Sequence, residues 1–358
     1  MIRFPDWYRP IERPLVRVHH VGKVTTAMSI VANTHPFVIG VDTHARKHVY
    51  TILLAATGAF VDARDFPTTT AGINRAIEWV ARRTEADADT LWVIEGAASY
   101  GAILTGTVAS HGYPVAEAPR MDITQHRGVG KSDVLDAYRI AAAALPLPIA
   151  KLRRPRLNEG IRQAIQILVT ARNAMTQDRT RSVNALTALV RSNALGIDAR
   201  RALNKSQIRQ VATWRTRNEE LALSIARTEA IRLANHVLQL DHQLTENEHQ
   251  LTDLIQISEA APLLKEKGFA TITAAKCLTA WSHHGRVRTE AEFASLAGVN
   301  PIPGSSGNTT RHRLNRGGDR TLNSALHMVA VVKMTQDAET RAYAEKRRKQ
   351  GKTNREVR

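Results

Sequence analysis

Apolar positions in the first third of the chain come in short runs. Phe37–Val41 and His48–Ala55 are β-rich, with a turn at Gly58. Thr69–Arg83 sets Ile73, Ala76, Ile77 and Val80 at helical spacing. Leu91–Ile94 has the length of a buried strand and is closed by Glu95. Leu104 and Val108 predict a helix that Gly112-Tyr113-Pro114 ends, followed by a strand over Val115–Ala118. Strands alternating with helices predict an α/β domain whose sheet is mainly parallel, with both faces covered.

From Asn158 the pattern changes to long helices. Ile161, Ile165, Leu168, Met175, Leu186 and Leu189 or Val190 recur three or four residues apart, with a break around Ser192–Asn204. A second helix carries a heptad. Leu223, Ala230, Val237, Leu244 and Leu251 take one seam position; Ala226, Leu233, Leu240, Asn247 and Leu254 take the other. This pattern fits a coiled coil in which a lone seam asparagine fixes register and oligomer state. The alternative is an intramolecular helical hairpin, and either way it is a spacer or assembly element.

After Pro262, the stretch Lys267–Ala275 reads as a glycine turn opening a small-residue helix, which could present backbone N–H groups to a phosphate. A loop rich in Gly, Pro, Ser and Arg runs from Gly298 to Gly318, and an amphipathic helix follows from Thr321 to about Met334. The basic tail from Arg341 reads as frayed. The chain thus divides into a poorly ordered extension (1–36, with Met28 an alternative start), an α/β domain (37–152), a helical coiled-coil domain (153–260), a mostly α domain (261–345) and a basic tail (346–358).

Composition narrows the function. The 358 residues include 50 Lys and Arg against 33 Asp and Glu, a formal charge of +17, which suits a polyanionic partner. Hydrophobic content of 43% excludes wholesale disorder. Aromatic content of 5% argues against a base-stacking platform as the main binding device. The single cysteine, Cys277, excludes an internal disulfide framework and a cysteine metal cluster. The best apolar run, Ile140–Ala150, is broken by Pro146 and Pro148, so no membrane segment is expected. With no secretory signal pattern at the start, a cytoplasmic protein is expected.

In so basic a chain the informative residues are acids. Asp42 ends the run Val38–Val41 and Glu95 ends Leu91–Ile94. Asp133 and Asp136 enter a helix at i,i+3 spacing, on one face. Taken singly, these are a turn residue, a surface acid and first-turn acids. Taken together, four carboxylates at strand ends and a helix start would repel one another unless cations lay between them. Mg²⁺ or Mn²⁺ suits such oxygen donors, and a pair of such ions is a device for phosphoryl transfer. Asp on the first strand, Glu on a central strand and D-x-x-D on a late helix form a ribonuclease-H-like pattern.

A second cluster joins Ser305, Ser306 and Gly307 to Arg311, Arg313, Arg316 and Arg320. The arginines could clamp a phosphate. The serines either hydrogen-bond a nucleic-acid backbone or, once activated, act as a nucleophile. Lys131 is either a backbone contact beside the acids or a solvated lysine.

These motifs resemble the DEDD-type transposases of bacterial insertion sequences (insertion sequence 110 family), which include pilin-gene inverting recombinases. The likeness covers about residues 37–345. It is carried by Gly40-Val-Asp42, Glu95–Tyr100, Lys131–Ala137, Gly268–Ala274, Ala294–Pro301, Ser306-Gly307 and Arg320–Leu326. It implies a fold similar to Holliday-junction resolvases in the α/β domain. It further implies Asp42, Glu95, Asp133 and Asp136 as the metal-binding tetrad, and Ser306 as the nucleophile, with Ser305 its rival. The two domains would make a composite site that cuts and rejoins DNA through a phosphoserine, under direction of a bridge RNA. Implied partners are donor and target double-stranded DNA, that RNA and further copies of the chain, as a dimer or tetramer. Ala270 and Ala98 stand where the family often has glycine, and family members often continue past this chain's end. A water-using metal nuclease or junction resolvase, and an inactive nucleic-acid-binding remnant, are the other readings.

Overall fold

The computed structural model describes residues 29–119, 132–156, 159–305, 307 and 312–357. They form two compact units: 29–156 with 282–288, and 159–281 with 289–357.

The first unit opens with a one-turn helix, α1 (Val31–Thr34), then β1 (Phe37–Thr43), β2 (Lys47–Leu54), β3 (Ala59–Pro67), α2 (Thr70–Arg83), β4 (Leu91–Ile94), α3 (Ala102–Ser110), β5 (Val115–Glu117) and α4 (Asp133–Ala144). Of the expected loose extension, residues 29–36 are instead fixed in place. Val31 is fully buried, and its N–H donates to Leu147 O at 3.0 Å. One apolar side chain plugging the core outweighs the prolines around it. Residues 1–28 lie outside the described residues.

The strands form one sheet in the order β3-β2-β1-β4-β5. β1 runs parallel to β4, and β4 to β5, whereas β1–β2 and β2–β3 are antiparallel. The mainly parallel sheet expected from the sequence is therefore a mixed one. Only residues 44–46 separate β1 from β2, enough for a reversal but far short of the dozen or more that a parallel crossover needs. Ile39, Val41, Tyr50, Ile52, Trp92 and Ile94 are buried on the face covered by α2 and α3, with Ile73, Ala76, Ile77 and Val80 packed onto them. On the other face Val38, Leu53, Leu91 and Val93 meet Ile140, Ala141 and Ala144 of α4. At ~1.5–3 kcal/mol for each large apolar side chain buried, these two layers hold the unit together.

In the second unit α5 (Gly160–Ser192), α6 (Lys205–Ala212) and α7 (Leu221–Gln256) come first. α5 and α7 pack antiparallel. Arg162 pairs with Glu259, Arg172 Nη2 lies 3.0 Å from Glu248 Oε2, and Arg179 Nε lies 2.5 Å from Asp241 Oδ1. Partner numbers fall as α5 numbers rise. The heptad seam faces α5: Ala226, Ala230, Val237, Leu240, Asn247 and Leu251 are buried. Asn247 Nδ2 donates to Leu168 O at 3.0 Å, and Asn247 Oδ1 accepts from Arg172 Nη1 at 3.4 Å. Of the two readings the heptad left open, the intramolecular hairpin is the one formed, and its seam asparagine is satisfied within the chain.

Then follow α8 (Thr271–Trp281), α9 (Glu290–Leu296), β6 (Pro301–Pro303), β7 (His312–Leu314), α10 (Arg320–Gln336), α11 (Ala338–Lys349) and α12 (Asn354–Val357). The tail is not frayed over 338–349: Asp337 Oδ2 caps α11 by accepting from Thr340 N at 2.9 Å, and Ala344 is buried. Gly268 serves packing, since a Cβ there would lie 3.0 Å from Val329 O of α10. No described helix is long and apolar enough to cross a membrane.

Candidate active site

The site begins with a missing side chain. A Cβ on Gly40 would stand 2.0 Å from Ala137 O and 2.7 Å from Ala141 N, so only glycine lets α4 lie directly on β1. Two residues further along the strand, on the same face, comes Asp42. The first turn of α4 carries Asp133 and Asp136. Ser132 starts that helix, its Oγ accepting from Leu135 N at 3.2 Å, and acids in the first turn suit the positive end of the helix dipole.

Glu95 arrives from the neighbouring strand. Its N–H donates to Val41 O at 3.0 Å and its carbonyl accepts from Thr43 Oγ1 at 2.9 Å, tying the ends of β1 and β4 together. Gly96, at φ +60°, turns the chain away immediately afterwards. The acids therefore gather at the carboxyl ends of parallel strands, where open α/β sheets place ligands.

Their electrostatics are those of a crowded anionic site. Burial pushes the Asp42 carboxyl above its ordinary value; His44 draws it back, while Asp136 and Asp133 push it further up. Glu95 is also raised, first by desolvation and then by Asp42 and Asp136. All four predicted carboxylates thus act on a common region. Asp42 is only 7% exposed and feels this repulsion most, whereas Glu95 is exposed and the Asp133 side chain 48% exposed, so solvent relieves part of it there. Two nitrogen-bearing side chains also face the cluster, and the sequence reading missed both. His44 Nε2 lies 3.1 Å from Asp42 Oδ2 and 3.9 Å from Asp133 Oδ1; Arg139 Nη1 donates to Asp136 Oδ1 at 3.0 Å. One donor atom each from Asp42, His44 and Asp133 lie within 4.8 Å of one another, a grouping that could hold a divalent metal ion. The signal for His44 was its position: two residues after Asp42, at the end of a strand, it shares that residue's side.

The serine–arginine cluster belongs to the second unit. β6 and β7 pair antiparallel, with Ile302 opposite Arg313. The base of this arm is closely built. Gly318, at φ +98°, stands where a Cβ would meet Leu296 O at 2.6 Å, and Asn315 Nδ2 donates to Asn300 Oδ1 at 2.7 Å. Ser305, Arg313, Arg316 and Arg320 are exposed. Ser306, Arg311 and Lys131 lie outside the described residues.

Comparison with known proteins decides the ancestry. A DEDD, IS110-type transposase family model matches residues 39–193, and the model of the transposase IS116/IS110/IS902 family matches residues 260–345. The chain belongs to this family of insertion-sequence transposases. An insertion element IS116 protein of 44.8 kDa from Streptomyces clavuligerus is 22% identical, over 87% of this chain and 88% of that protein. An insertion element IS900 protein of 42 kDa from Mycobacterium paratuberculosis is 25% identical over 74% and 77%. An insertion element IS110 protein of Streptomyces coelicolor is 24% identical over 74% and 76%. Family membership places the chain among DNA-processing enzymes. The four acids fall inside the first matched segment; Ser306 and the four arginines fall inside the second. The stretch 194–259, which holds α6 and α7, falls in neither.

Proposed function

We propose that this transposase cuts and rejoins the DNA of an insertion element at a metal-dependent site formed by Asp42, Glu95, Asp133 and Asp136. The observation that carries the proposal is the mutual repulsion of carboxylates at the ends of β1 and β4 and the start of α4, with Asp42 and Glu95 raised by desolvation and by neighbouring acids of the four. The mixed sheet with helices on both faces is compatible with a ribonuclease-H-like domain. The carboxylates would hold Mg²⁺ or Mn²⁺, which when bound neutralises charge on the scissile phosphate.

Ser306 is the nucleophile. Its Oγ forms a bond to phosphorus as the bond from phosphorus to one deoxyribose oxygen breaks. The serine proton passes to the departing oxygen, and the phosphoserine keeps the bond energy for rejoining, so no ATP is required. Arg311, Arg313, Arg316 and Arg320 clamp the phosphate, and Lys131 contacts the backbone beside the acids. The excess of positive charge serves two DNA segments and a bridge RNA that selects them, held by a dimer or tetramer.

A denaturing gel of the full chain with end-labelled element DNA and Mg²⁺ tests this. The expected result is a protein–DNA adduct that disappears in Ser306→Ala, and strand cleavage that disappears in Asp42→Ala. Nicked product from a fully active Ser306→Ala would identify a water-using nuclease or junction resolvase instead. Binding without cleavage under any divalent metal would identify an inactive nucleic-acid-binding remnant. Sequencing the RNA that co-purifies with the chain tests guidance.

A further inference from the structure

The carboxylate tetrad offers oxygen donors, yet an imidazole nitrogen stands against Asp42 as well. At metal–ligand bonds of about 2.1–2.2 Å, neighbouring donors around an octahedral ion stand about 3.0 Å apart, and opposite donors about 4.3 Å. His44 Nε2 lies 3.1 Å from Asp42 Oδ2, matching the neighbouring spacing, and 3.9 Å from Asp133 Oδ1, between the two. The three donors lie within 4.8 Å of one another, inside the span one ion can bridge with small side-chain movements. Although the His44 side chain as a whole is 44% exposed, its Nε2 is buried and makes no hydrogen bond, a nitrogen left free to face an ion among the carboxylates. Asp42, by contrast, is held in the sheet.

We propose that His44 is a direct ligand of the ion at this site, making the donor set mixed nitrogen and oxygen, so that the site prefers Mn²⁺ to Mg²⁺. The preference follows from ligand chemistry. Imidazole is a good donor to first-row transition ions, whereas Mg²⁺ favours carboxylate, carbonyl and water oxygens. The inference rests on the carboxylate metal site proposed above, and its test separates the two.

The experiment loads the full-length chain with Mn²⁺ alone and records electron spin echo envelope modulation, which detects nitrogen bonded to the ion. Wild type is expected to show an imidazole nitrogen coupling that changes on ¹⁵N-histidine labelling. That coupling should vanish in His44→Ala and in His44→Asp, with Asp42-dependent Mn²⁺ binding retained in His44→Asp. The oxygen donor there should lower the preference for Mn²⁺ over Mg²⁺. Asp42-dependent Mn²⁺ binding without nitrogen coupling overturns the proposal and leaves the carboxylate site standing. So does a coupling that survives in His44→Ala, which would assign it to another ring such as buried His48. Absence of any Asp42-dependent Mn²⁺ binding removes both. Circular dichroism of each variant confirms that the fold is kept.

Discussion

Replacing Gly40 with alanine tests the seating of α4 with the smallest possible perturbation, one methyl group. The added carbon would sit 2.0 Å from Ala137 O, 2.7 Å from Ala141 N and 2.9 Å from Ala141 Cβ. Two of these are backbone atoms in the middle of a helix, so no side-chain rotation relieves the clash. Opening the shortest contact to even 3.0 Å requires α4 to withdraw by 3.0 − 2.0 = 1.0 Å. Overpacking of this kind costs about 1–3 kcal/mol. For a unit of this size that corresponds to a fall in melting temperature of roughly 3–10 °C, read by calorimetry. Asp133 and Asp136 ride on the displaced helix, and a displacement near 1 Å at a reacting centre costs about 100-fold in rate. Strand cleavage should therefore fall by about that factor at temperatures where the variant is still fully folded. A Gly40→Ala chain with wild-type melting and wild-type cleavage would refute the claim that this contact sets the position of the carboxylates.

Asp42 and Glu95 are both raised in the folded chain, so the stability they contribute is full below the ordinary carboxylate range near pH ~4 and is lost as pH rises through their higher folded values. Carboxylates that arginine or backbone donors hold low, such as Asp62 and Asp337, oppose that trend, so a difference between chains isolates it. In chelator, Asp42→Asn should gain melting temperature over wild type as pH climbs above that range; a constant difference across pH would count against the crowded-anion account. Asn247→Ala removes the buried amide that joins α7 to Leu168 O and should destabilise the helical unit by about 1–3 kcal/mol in denaturant titrations, with Mn²⁺ binding unchanged. The Cys277 thiol is pushed up to about 12 by burial, so a thiol reagent at pH 8 should label the unfolded chain promptly and the native chain hardly at all.

The acids were legible because their setting was simple: an apolar run, then a carboxylate, twice, and a D-x-x-D pair opening a helix. What surrounds them was harder to read. β3 carries Phe60, Val61 and Phe66 in no alternating pattern and buries only Phe66, and pairing with β2 makes it a strand. His44 is one of 14 histidines and became conspicuous only when the end of β1 and the start of α4 came together. The heptad exposed an apolar seam, but periodicity does not name the helix that covers it. That was settled by Asn247 finding its partners on α5. The tail's charge run hid a helix whose anchors are a single aspartate cap and a single buried alanine.

The α5–α7 hairpin pairs the end of the first family segment with the stretch that follows it and forms a finger: its root joins α5 at Gly160 and α7 at Gln256, and α6 lies at its tip. Its 33-residue and 36-residue arms are each about 50 Å long at 1.5 Å per residue. Antiparallel pairing couples the lengths of those arms. Seven residues removed from one arm alone would slip Arg172 past Glu248 and strand Asn247 opposite an apolar row. Seven removed from both would shorten the reach by about 10 Å and leave every remaining pair in register. The finger therefore behaves as a ruler that can be lengthened or shortened only in matched steps on both arms.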